Sequence, residues 1–197
     1  MEASQLSPPT EDQLDSALPS WTILAVAFAG ACGIGWLVLS DIDAVFSALL
    51  AATALWIAAV DLSRFEIPDT ANITTLVLGV VWSLLSMGVA FEVIGEMAVR
   101  SLLAAGLLFA VRELYWMVRH AHGLGLGDVK LAGAGAVWLS WPHFILALLV
   151  AALAGVLLVL ISAVRSGERI QAGTAIPFGA LLAPAIWASW VAQAAGI

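Results

Sequence analysis

Hydrophobic residues along this chain come in long runs, broken by short stretches that hold charge, proline or glycine. A bilayer core of about 30 Å takes roughly 20 such residues as a helix. Cut at the polar breaks, the pattern predicts seven segments: 21–40, 44–60, 73–91, 98–117, a short one from Asp128 to Pro142, 143–163 and 176–195. Asp41 and Asp43 separate the first two. Pro68 turns the chain between the second and third, because the residue before a proline is pushed out of helical geometry. Glu92 and Glu96 mark the turn before the fourth segment, whose Arg100 and Arg112 lie near its ends and can snorkel. A loop with glycines and histidines, 118–127, precedes the fifth segment, and a linker, 164–175, precedes the seventh.

The pattern therefore predicts an all-α polytopic membrane bundle of about seven transmembrane helices, with the lipid bilayer as its solvent. Residues 21–197 form the membrane-embedded domain, with 21–43 as an extra N-terminal helix peripheral to a core over 44–195. Residues 1–20 hold Glu2, Glu11, Asp12 and Asp15 but no Lys or Arg. A secretory signal needs a basic start, so this stretch is expected as a disordered acidic tail.

Composition supports lipid as the medium. The chain is 62% hydrophobic and 11% charged, where soluble domains run about 45–50% and about 25%. A net charge of -7 argues against a nucleic-acid partner, which needs a basic face. The one cysteine, Cys32, reads as a packing residue, and no CxxC pair exists for zinc. His120 and His122 lie two apart without a third ligand. Neither metal nor cofactor is expected.

Basic residues orient the bundle, because Lys and Arg stay on the cytoplasmic side. Arg64, then Arg112, Arg119 and Lys130, then Arg165 and Arg169 gather at three loops that share one side if all seven segments cross. The tail then lies inside and the C-terminus outside. Trp21, Trp116, Trp138, Trp141, Trp187 and Trp190 fall near segment ends, where an aromatic belt meets the interface.

Ionisable groups at membrane depth cost roughly 2.5–3.5 kcal/mol on insertion scales and point to function. Asp61 closes the second segment and Asp128 opens the fifth, on the same side. Two neighbouring carboxylates sharing one proton suit aspartyl proteolysis: one takes a proton from water, the other donates to the oxyanion or leaving amine. The glycines before Asp128 permit an irregular backbone that an extended substrate can approach closely. Taken alone, Asp128 also reads as a helix cap. A proton-coupled small transporter is the non-enzymatic alternative, although the spans show few mid-depth polar residues.

Three strings then carry a resemblance. Asp61-Leu-Ser-Arg-Phe-Glu-Ile-Pro-Asp69, Gly123-Leu-Gly-Leu-Gly-Asp-Val-Lys-Leu131 and Ile176-Pro-Phe-Gly179 resemble, in order and spacing, the motifs of the type IV prepilin peptidases, which are GxGD aspartyl proteases. The resemblance covers about 44–195. It implies a cytoplasmic-face endopeptidase that removes the basic leader from prepilins or pseudopilins at the inner membrane. Asp61 and Asp128 would be its catalytic pair, with Gly125, Gly127, Lys130, Pro68, Pro177 and Gly179 as substrate-binding or structural support. The cysteine-rich methyltransferase region of the two-function members has no counterpart in this sequence, so a short, peptidase-only form is expected. Ala180 stands where the family often has proline. A presenilin-like GxGD protease is the other enzymatic reading, but it pairs the motif with Tyr-Asp, and Tyr115 is followed by Trp. The oligomeric state is not readable from the sequence.

Overall fold

The computed structural model describes residues 21–120, 123–166 and 176–197. Seven helices follow one another: α1 Trp21–Val38, α2 Asp41–Arg64, α3 Asp69–Met87, α4 Phe91–Arg119, α5 Leu126–Ala136, α6 Trp141–Ser166 and α7 Phe178–Ala194. The described residues hold no strand, so the expected all-α bundle is what forms. The proposed tail, 1–20, lies outside the described residues, as do His122 and Arg169.

By length and composition α2, α3, α4 and α6 are long and apolar enough to cross a membrane, while α1 and α7 are apolar but shorter. The 11 residues of α5 reach only about 16 Å at 1.5 Å each, about half of a bilayer core. Long helices thus surround a short one. α5 packs on α4 and α3, α7 packs on α2 and α6, and α1 rests chiefly on α2.

Several boundaries move from their expected places. α2 begins at Asp41, not 44, because Asp41 and Asp43 in its first turn face the positive end of the helix dipole. Its other end continues past Asp61 to Arg64, and the chain reverses at Phe65, whose φ of 54° is left-handed. Glu92 and Glu96 mark no turn: they lie inside the first two turns of α4, and the break before it falls at Gly88, with φ of 83°.

Two tryptophans expected at the lipid interface are core residues instead. Trp138 is 1% exposed and Trp190 0%. They pack edge to face at 5.3 Å between ring centroids, and Trp82 stacks on Trp138 at 5.7 Å. The Trp138 indole donates to the Thr75 carbonyl at 2.9 Å, filling a space that Gly79 leaves open. The short α5 explains Trp138, which lies just past its end and still inside the bundle; Trp190, within α7, faces this cluster instead of lipid. Trp116 and Trp141 are exposed, as an interface position requires. Half-buried Trp187 donates to Ser47 Oγ at 3.1 Å.

Arg100 does not snorkel either. It is buried, and its guanidinium donates to the Leu139 carbonyl at 2.9 Å. Gln193 holds the same stretch, donating to the Trp138 carbonyl at 3.1 Å and accepting from Ser140 N–H at 2.6 Å. Backbone groups freed at membrane depth must find partners within the protein, and these two side chains supply them.

Candidate active site at one end of the bundle

The Arg64–Asp69 turn brings the motif residues to the end of the bundle opposite Arg100 and Gln193. Asp61, in the last turn of α2, is 4% exposed. The backbone N–H of Ala180 donates to its Oδ2 at 2.8 Å. Pro177 is the N-cap of α7, so Gly179 and Ala180 occupy its first turn. The first N–H groups of a helix have no partner within it and, with the dipole, form a natural anion seat. A carboxylate on α2 fills the seat at the start of α7.

Asp128 is 8% exposed and sits in the first turn of α5, with Gly125 as N-cap. Its Oδ2 accepts from Gly125 N–H at 3.1 Å, half of a capping box. The capping expectation is thus met by one oxygen. The other, Oδ1, is buried and has no hydrogen-bond partner among the described residues.

Both acids line one cavity of about 450 Å³, together with Phe65, Glu66, Ile67, Pro68, Asp69 and the Gly125–Gly127 turn. The other expected support residues lie around this cavity in different roles. Pro68 caps the start of α3. Lys130 on α5 holds Asp69 on α3 at 2.6 Å, both well exposed, a pair worth about 0–1 kcal/mol in solvent. Asn72, buried on α3, donates to the Gly127 carbonyl at 3.4 Å.

Ile67 was not singled out from the sequence, yet it touches both glycine motifs. A methyl group on Gly127 would lie 3.0 Å from Ile67 Cβ, and one on Gly179 would overlap Ile67 Cδ1 and stand 3.1 Å from Asp61 Oδ2. The only sequence signal was its place before Pro68. Ala180 is also missed, because its contribution is a backbone N–H that any residue but proline offers.

The histidines stay apart from this site. His120 is the exposed C-cap of α4, and His143 bonds Ser140 at the other end at 2.8 Å. No group of acids, histidines or cysteine among the described residues could hold a metal ion. Two of the buried hydroxyls, Thr53 and Thr75, bond back to carbonyls of their own helices.

The described residues thus form an all-α bundle that brings two buried acids to one cavity. Residues 48–160 match the model of the type IV leader peptidase family, more than half of the chain and both acids. A prepilin leader peptidase/N-methyltransferase of Escherichia coli (strain K12) is 32% identical over 165 residues, covering 82% of this chain and 68% of that protein. Proteins of the same description from Pectobacterium carotovorum subsp. carotovorum and Burkholderia pseudomallei (strain 1026b) are 35% and 28% identical, over 57% and 68% of this chain. The chain spans less than half the length of those two, at 43% and 42%. No solved structure matches it. The chain belongs to the type IV leader peptidase family.

Proposed function

We propose that this chain is an aspartyl endopeptidase that removes the basic leader from type IV prepilins or pseudopilins, with Asp61 and Asp128 as its catalytic pair. The observation that carries the reading is two buried carboxylates, from α2 and α5, on one cavity at one end of the bundle. Proteolysis needs a water between the acids. The ionised member draws a proton from it, the oxygen attacks the scissile carbonyl, and the protonated member gives its proton to the leaving amine. The pair titrates as a unit, so neither role belongs to one residue in advance. The non-helical stretch Phe65–Pro68 and the α5 start at Gly125–Gly127 line the same cavity, where an extended substrate would lie.

In this reading the cavity opens to the cytoplasm in the inner membrane. The Arg64, Arg119 and Arg165 ends of three helices support that side. The catalytic core runs over 44–195, and α1 is accessory. Substrates present a short basic leader before a hydrophobic helix that stays in the bilayer.

Co-expression with a prepilin tests the proposal. Wild type is expected to convert precursor to mature pilin on a gel. Asp61→Asn and Asp128→Asn, each inserted at normal levels, are expected to leave the precursor intact. Normal processing by either variant would sink the assignment of the pair.

A further inference from the structure

We propose that Ile67 is a positioning residue for the two acids, and that Gly179 is glycine because Ile67 occupies its side-chain space. The proposal rests on the peptidase reading above but adds a residue and a steric relation to it. Ile67 stands on the turn that follows Asp61 and is half-buried against the core. Its side chain enters between two helix starts. On one side is Gly127, one residue before Asp128; on the other is Gly179, one residue before the N–H that holds Asp61.

The two helices meet Ile67 at the same register. With Gly125 and Pro177 as N-caps, Gly127 and Gly179 are each the second residue of the first turn, and Asp128 and Ala180 each the third. A side chain at either glycine would push its helix start away from the turn. The Asp61–Ala180 hydrogen bond or the placement of Asp128 would move with it. Ile67 is therefore the one spacer that sets the α5 and α7 starts, and so the two carboxylates, against a common reference.

The contacts differ in a way that makes the idea testable. The added methyl at Gly179 meets Cδ1 and Cγ1 of Ile67, atoms that alanine lacks. At Gly127 its one tight contact is with Cβ of Ile67 at 3.0 Å, which alanine keeps, while Cγ1 at 3.4 Å and the backbone N at 3.5 Å stand at ordinary contact distance. Shortening Ile67 to alanine should relieve the first clash and not the second. The 3.1 Å approach to Asp61 Oδ2 remains in the relieved variant, so its recovery should be large but incomplete.

The experiment compares wild type, I67A, G179A, I67A/G179A, G127A and I67A/G127A, purified in detergent, for prepilin cleavage kinetics and thermal unfolding. The G127A contact calls for a shift of a few tenths of an ångström, and the Ile67 side-chain end can absorb part of the G179A clash. Misplacing reacting groups by about 1 Å costs on the order of 100-fold in rate, so a loss of about tenfold in kcat is expected for each. I67A/G179A should regain most of that loss, and I67A/G127A should stay low. I67A alone should lower kcat more than it raises KM, because it loosens the acids and not the substrate. Wild-type rates in G179A, or no recovery in I67A/G179A, would overturn the proposal. So would recovery in I67A/G127A, or a Tm that recovers in I67A/G179A while kcat never moved. If wild type cleaves no prepilin, the functional reading fails by itself. The Tm series then tests the spacer, and additive Tm losses in I67A/G179A would overturn it too.

Discussion

Asp61 is held by α7 through the backbone N–H of Ala180. A hydrogen bond to an ionised group contributes about 1.5–3 kcal/mol. Ala180→Pro deletes the 2.8 Å donor and leaves the Gly179 N–H in place. Because proline at this place is familiar in the family that the sequence resembles, the expected outcome is an active, inserted protein with kcat on the same prepilin lowered by no more than about tenfold. An inactive protein that still inserts would overturn that expectation. At this scale the two acids were legible, because an Asp bordering an apolar run has few structural uses. Ile67 and the Ala180 N–H were not. Their work lies in contacts across 119 residues, between Asp61 and Ala180, and nothing in the local strings shows which helix start faces which acid.

Among the elements, α5 is the one the hydropathy pattern misjudged. Its apolar run was legible, but its end at Ala136 was not, because Val137, Trp138 and Leu139 continue the same hydrophobicity without continuing the helix. The Trp138 and Leu139 carbonyls reach Gln193 and Arg100 instead of an intrahelical donor. Arg100→Leu leaves the buried Leu139 carbonyl unpaired, which costs about 1–3 kcal/mol. The expected result is a lower unfolding temperature in detergent with kcat little changed, since Arg100 lies at the end away from Asp61 and Asp128. A variant as stable as wild type would show that water reaches the carbonyl and that this end is open. Trp138 was misplaced for the same reason: proximity to a segment end means the interface only when the segment spans.

For the whole molecule, the alternation of seven helices makes a topological prediction. In a Cys32→Ser background, Glu66→Cys is expected to react with a membrane-impermeant maleimide from the cytoplasmic side alone, and Val89→Cys from the opposite side alone. Both residues are exposed and lie at opposite ends of α3. Labelling of both from one face would remove the proposed orientation and, with it, cytoplasmic access to the cavity. The charge pattern behind this prediction needs no structure, because positive residues resist translocation wherever the helices pack.

Apolar run lengths, the clustering of Lys and Arg, and two acids at the rims of those runs determined the bundle, its expected orientation and the choice of Asp61 and Asp128. Each is a local property, since insertion into lipid is settled residue by residue through transfer free energy. Tertiary packing alone decided that α5 stops halfway, that Trp82, Trp138 and Trp190 form a core, and that one isoleucine spaces two helix starts. Those outcomes depend on which surfaces meet, and a chain's own hydropathy does not encode the partner of each face.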